Sequence, residues 1–158
     1  GRYSHEQFGV NHLVVDNLLS CGIDEEDYSA QKRFVLALAT HAHDTGQSVH
    51  LLAHSRKYKD EQKPPGKFDV RGASAITDLA DNVFIVWRNV GKETAQNEGK
   101  HDKDDEPDAQ LIVCKHRHGE WEGCIRLWFD RRSQTYLQCA TEHPKPMRLL
   151  SESDPVEF

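Results

Sequence analysis

The chain has 158 residues, the length of one globular domain or a large piece of one. Apolar residues make up 37% and charged residues 29%, polar for a globular chain but above the profile of a disordered one. With 20 basic and 26 acidic residues the formal charge is −6, which excludes a uniformly basic nucleic-acid coat but not a local basic strip.

No run approaches the roughly 20 apolar residues of a membrane span, and no signal peptide opens the chain. The expectation is a soluble, cytoplasmic protein. Four scattered cysteines (Cys21, Cys114, Cys124 and Cys139) form no C-x-x-C pair. Cys114 and Cys124 lie in strand-like runs, where a free thiol packs as a small apolar group. A disulfide framework is not expected.

In chain order, His12 to Asp16 (H-L-V-V-D) reads as a short buried parallel strand ending in an acid. A polar loop over 20–28 follows. Ser29 opens a helical pattern carried by Phe34, Leu36 and Leu38, and Asp44-Thr45-Gly46 supplies the stop, with glycine as C-cap. Ser48 to Ala53 is a second apolar strand, followed by His54. Strand, helix and strand make a βαβ unit, expected to be right-handed. In open parallel sheets the carboxyl ends of the strands carry the ligand, so Asp16 and His54 should share one crevice.

Residues 55–69 hold two prolines and a glycine and read as a loop. A short helix is expected over 72–81, and Asn82 to Arg88 (N-V-F-I-V-W-R) is a third buried strand. Residues 91–108 carry acids and lysines without an apolar anchor and read as a mobile insertion. Ala109 to Lys115 and Cys124 to Asp130 are strands joined by a short glycine-containing link, an antiparallel hairpin at a sheet edge. Residues 135–139 have the composition of a further short strand. The segment 143–158 is Pro-rich and acidic and reads as a tail.

Several of these positions suit phosphate chemistry, each with a plainer reading beside it. A strand-end acid such as Asp16 can hold Mg²⁺ through water beside phosphates, or merely cap a loop. A strand-end imidazole such as His54 can hydrogen-bond a terminal phosphate, or be satisfied within the fold. Between 56 and 71, six cations (Arg56, Lys57, Lys59, Lys63, Lys67 and Arg71) face three acids. The net of +3 suits phosphate binding or a solvated loop. Lys115 and Arg117 alternate onto one face of an extended strand end, where an ammonium and a guanidinium fork can act on phosphate oxygens, or simply decorate a hairpin tip. The ten histidines suggest no zinc site: His41 and His43 are two apart on a helix, and His116 and His118 lack a third ligand. Trp87, Trp121 and Trp128 fit strands or the hairpin better than a base-stacking platform. No G-x-x-x-x-G-K-[ST] phosphate cradle occurs.

In this order the pieces resemble the RecA-like motor domain of hexameric replicative helicases, the group of DnaB, the mitochondrial helicase Twinkle and the phage primase–helicases. The strings are H-L-V-V-D-N-L (12–18), L-L-A-H-S-R-K (51–57), D-V-R-G-A-S-A-I-T-D-L-A-D-N-V-F-I-V-W-R-N (69–89), C-K-H-R-H-G (114–119) and R-L-W-F-D (126–130). They are individually loose, but their joint order is specific.

The resemblance implies an α/β, RecA-like fold over residues 1–142, a mainly parallel sheet flanked by helices with an antiparallel edge hairpin. It makes Asp16 the Walker B acid, holding Mg²⁺ through water, and His54 the phosphate sensor. The central DNA-binding loop would use Arg56, Lys57, Lys63, Lys67, Arg71 and Gly72. Lys115 and Arg117 would be the lysine and arginine finger that reach a neighbouring subunit's nucleotide. It further implies ATP or another NTP with Mg²⁺, single-stranded DNA, a ring-shaped homo-oligomer (a hexamer), and a fused or associated primase. The missing Walker A loop and catalytic glutamate are expected upstream, so the chain reads as the C-terminal part of a motor domain truncated before its Walker B strand. Rival readings are a RecA-like ATPase of a plasmid or phage replication protein that does not unwind, and a degenerate, non-catalytic interaction module.

Overall fold

The structure is a computed structural model, and it describes residues 1–24, 26–55, 63–70, 72 and 74–145. The first helix, α1 (Arg2–Phe8), ends at Gly9, whose φ of 63° lets its N–H return to the His5 carbonyl at 2.9 Å. Strand β1 (His12–Val15) leads through a 3₁₀ turn (Leu19–Cys21) to α2 (Tyr28–Thr45). The expected opening of this helix at Ser29 moves back slightly: Asp27 is the N-cap, its carboxylate accepting from Ala30 N at 2.8 Å. The expected stop is present, with Gly46 at φ 72° and its N–H on the Ala42 carbonyl.

Strand β2 (Ser48–Leu51) pairs in parallel with β1, in the register His12 with Ser48 and Val15 with Leu51. Alternation turns Leu13, Val15, Val49 and Leu51 to the less exposed face and His12, Val14 and His50 to the other. The short α3 (Ala75–Leu79) packs on α2. The core here is Leu18, Val35 and Ile76, with Ile23, Phe34, Leu51, Val70 and Leu79 around it. Gly72 is part of this packing. At φ 113°, any Cβ there would meet Gln31 Oε1 at 2.6 Å and Ile76 Cδ1 at 2.9 Å.

Strands β3 (Asn82–Arg88), β4 (Ala109–His116), β5 (Gly123–Asp130) and β6 (Thr135–Leu137) form a second sheet in that order, antiparallel throughout. The parallel part of the fold is therefore only β1 and β2 among the described residues, less than the mainly parallel sheet expected. The hairpin extends into a four-stranded meander, with Arg88 facing Ala109. A register shift between Val83 and Phe84 marks a bulge. β3 is an edge strand rather than the buried strand expected: it is unpaired on its outer side among the described residues, with Phe84 57% and Val86 77% exposed.

The segment 91–108 differs from the unanchored polar insertion expected. It contributes most of α4 (Val90–Asn97), capped by the Asn89 side chain accepting from Lys92 N at 3.0 Å. Its buried residues are Lys92 and Ala95. The Lys92 ammonium lies 3.0 Å from Asp108 Oδ1 and donates to the Glu106 carbonyl at 2.6 Å. The anchor is thus an ion pair and a cap, neither of which an apolar pattern reveals. Residues 143–145 carry no regular structure, and the rest of the expected tail lies outside the described residues.

Candidate functional site

The carboxyl ends of β1 and β2 lie side by side because the two strands are parallel and in register. Asp16 follows β1 directly and is exposed, with no ion-pair partner among the described residues. The peptide joining it to Asn17 is cis. Across the gap, Asn17 Nδ2 and His54 Nε2 are 3.1 Å apart. Asn17 Oδ1 in turn accepts from Ser20 N at 3.2 Å and Ser20 Oγ at 3.4 Å. The backbone ties the ends further, through Leu52 N to the Val15 carbonyl and Leu18 N to the Leu52 carbonyl. An exposed carboxylate and an imidazole therefore lie at the same, carboxyl, end of the parallel strands.

Lys115 and Arg117 form a second group, and both turn toward the connection between α3 and β3. Lys115 Nζ donates to the carbonyls of Thr77 (3.0 Å) and Asp78 (2.9 Å), at the C-terminal end of α3, where a cation is favoured. Arg117 donates through Nη1 to Asp81 Oδ1 at 2.7 Å and through Nη2 to the Asp78 carbonyl at 3.3 Å. Its backbone N–H also meets the Asp81 carbonyl. The Arg117 and Asp81 side chains are 46% and 55% exposed, so water and further partners still reach the guanidinium.

Of the expected DNA loop, Lys63 is exposed and Lys67 is partly buried in a 3₁₀ turn (Lys67–Asp69). Asp69 Oδ2 accepts from Gly66 N at 2.6 Å, closing that turn. A bridge between Ser55 and Val70 closes the base of the loop. Arg56, Lys57 and Arg71 lie outside the described residues. Gly72 sits against Gln31 at the loop's exit, a packing position.

Three features escaped the sequence reading. Asn17 and Asp81 each meet a site residue from far along the chain, through contacts 37 and 36 residues apart. His12 and His50 stack with centroids 5.4 Å apart and Nδ1 to Nε2 at 3.1 Å. The signal for this pair was available in the parallel register, which puts both on one face. The cysteines are free; Cys21, Cys124 and Cys139 are exposed, and burial pushes the Cys114 thiol up. No group of three or more His, Cys, Asp or Glu able to hold a metal occurs among the described residues. A hard oxygen donor such as the open Asp16 carboxylate suits Mg²⁺ bound through water, which needs no dedicated protein cage. No helix among the described residues is long and apolar enough to cross a membrane.

No curated protein matches the chain. One solved structure, a DnaB-like replicative helicase described with its interactions with primase, superposes with a TM-score of 0.61 at 16% identity. The match covers 86% of this chain and 33% of that one, so this chain spans about a third of its neighbour's length and shares its fold. Residues 2–138 match the model of the DnaB-like helicase C terminal domain. That match takes in both strand ends, the α3–β3 connection and the hairpin, and the chain belongs to the DnaB-like helicase C-terminal domain family.

Proposed function

We propose that this chain is part of an NTP-driven motor that moves along single-stranded DNA and unwinds duplex at a replication fork. The observation that carries the reading is that Asp16 and His54 follow adjacent parallel strands, with Asn17, the residue after Asp16, 3.1 Å from the His54 ring, within a DnaB-like helicase domain. Asp16 holds the water shell of Mg²⁺, and His54 meets the terminal phosphate of the nucleotide. Held there through water by Asp16, Mg²⁺ would supply positive charge to offset that developing on the phosphate oxygens. Lys63 and Lys67, with Arg56, Lys57 and Arg71, contact DNA phosphates without reading bases. Lys115 and Arg117 act on the nucleotide of a neighbouring subunit, so a ring-shaped assembly of identical chains completes each site.

Arg117 is held by Asp81 within its own chain, in a pair exposed to solvent. Such a pair is worth about 0.2–1 kcal/mol and yields readily to the several charges of a triphosphate. The decisive experiment measures strand displacement on a forked duplex and ssDNA-stimulated phosphate release by the full-length protein, with Asp16→Ala as control. Unwinding and hydrolysis that are both lost in Asp16→Ala support the motor. Hydrolysis without displacement would place the protein among DNA-binding ATPases that do not unwind, and neither activity would leave a non-catalytic module.

A further inference from the structure

The Asn17 amide has one fixed orientation. The Ser20 backbone N–H can only donate; it is shared between the Asn17 backbone carbonyl at 3.1 Å and one end of this amide at 3.2 Å. That end must be the carbonyl oxygen, since the opposite flip would set a donor against a donor. The Ser20 hydroxyl points at the same oxygen. The other end, 3.1 Å from His54 Nε2, is therefore the amide NH₂, which can only donate. His54 Nε2 must then carry the lone pair, and the neutral ring must carry its proton on Nδ1.

We propose that Asn17 is the positioning residue of His54, setting its tautomer so that Nδ1–H is the ring's single donor and Nε2 is occupied. This deepens the reading of His54 as the group that meets a terminal phosphate, and rests on it. A phosphate oxygen can only accept, so it is recognised through Nδ1–H. A neutral histidine free in water prefers the opposite tautomer, with the proton on Nε2. Asn17 directly follows Asp16 in sequence, so the residue beside the candidate Mg²⁺ carboxylate also orients the candidate phosphate donor. A shift of the 16–20 segment would therefore reach both groups at once.

Long-range ¹H–¹⁵N spectra of the full chain, taken at about pH 9, above the ordinary imidazole range, report which ring nitrogen of His54 carries the proton. The expected result is a predominantly Nδ1–H ring in the wild type. Asn17→Asp keeps an oxygen for Ser20 but offers His54 only an acceptor, so the majority tautomer should invert to Nε2–H. Asn17→Ala should move toward the same side. A wild-type ring protonated on Nε2, or the same tautomer in wild type and Asn17→Asp, overturns the proposal. The reading beneath it is tested separately in the full-length protein. There, His54→Ala should abolish ssDNA-stimulated hydrolysis, and Asn17→Ala should lower kcat about 3- to 10-fold, one hydrogen bond's worth, with KM unchanged. Full activity in His54→Ala would remove the phosphate role while leaving the tautomer assignment to the spectra.

Discussion

Asp108→Ala should be among the most destabilising substitutions available in the β-meander. The Lys92 side chain is 5% exposed and its ammonium has two oxygen partners, Asp108 Oδ1 at 3.0 Å and the Glu106 carbonyl at 2.6 Å. Asp108 also accepts from Phe129 N through Oδ2 at 2.9 Å, tying α4 to β5. Breaking a buried pair from one side costs about 3–5 kcal/mol, because the remaining charge stays desolvated. Asp108 is 31% exposed and the Glu106 carbonyl remains, which argues for the lower end. Loss of the Phe129 bond adds about 1 kcal/mol. The expected loss is therefore about 3–4 kcal/mol, a fall in Tm of roughly 6–16 °C for a domain of this size. Lys92→Met deletes the buried charge, preserves most of the volume, and leaves Asp108 partly hydrated and still bonded to Phe129. It should cost no more than about 1–1.5 kcal/mol. Urea unfolding followed by circular dichroism measures both variants. Equal losses, or a larger loss for Lys92→Met, would refute the argument that burial of the ammonium sets the cost.

Three further outcomes are expected. Arg117→Ala in the full-length protein should abolish DNA-stimulated hydrolysis while sparing nucleotide binding, since fingers of this type are worth about 10³–10⁵ in rate. In mixed assemblies, activity should fall more steeply than the variant fraction, and strict proportionality would reduce Arg117 to a basic residue on a hairpin. Neutralising Lys63, Lys67 and Arg71 together should weaken ssDNA binding evenly across sequences and flatten its salt dependence, as a filter-binding titration would read. Hydrogen bonds from the Ser133 hydroxyl and N–H hold the Asp130 carboxyl below its usual range. The resulting stabilisation is full above the ordinary aspartate value of about 3.9 and is lost as pH falls through the lower folded value. Asp130→Asn should therefore be less stable than wild type at neutral pH and converge with it in strong acid, by denaturant titration across pH.

The parts of the fold set by local pattern are legible in the sequence. Asn82 to Arg88 is a strand at the expected ends, because a run of β-branched and aromatic residues is flanked by polar ones. The stop at Gly46 follows from a residue that enters the left-handed region without strain. The helix α4 was not readable, since its apolar face is little more than Val90 and Ala95. Its clues were Asn89 three residues before Lys92 and Glu93 in the first turn, a cap signal within a polar stretch. The direction of β4 relative to β3 was also hidden, although the antiparallel β4–β5 hairpin was not. The 20 residues between Arg88 and Ala109 are long enough for a parallel crossover, yet the chain returns antiparallel. Asp16 and His54 could be placed together because parallel strands bring like ends together. Asn17 and Asp81 could not, because each gains its role only through contact with a distant segment.

The uncovered edge of β3 bears on how the chain behaves in a tube. Along Asn82–Arg88 one row of backbone amides and carbonyls has no strand beside it among the described residues, and Phe84 and Val86 stand open next to it. Such a border is adhesive: any extended segment can add to it by main-chain bonds alone, whatever its side chains. Self-association should therefore rise with concentration independently of nucleotide or DNA. A lysine in place of Val86 blunts the border by making a second strand bury a charge, and leaves Asp16, His54, Lys115 and Arg117 untouched. Handling the chain at high concentration is thus a matter of guarding seven residues, all remote in sequence from the strand ends of the first sheet.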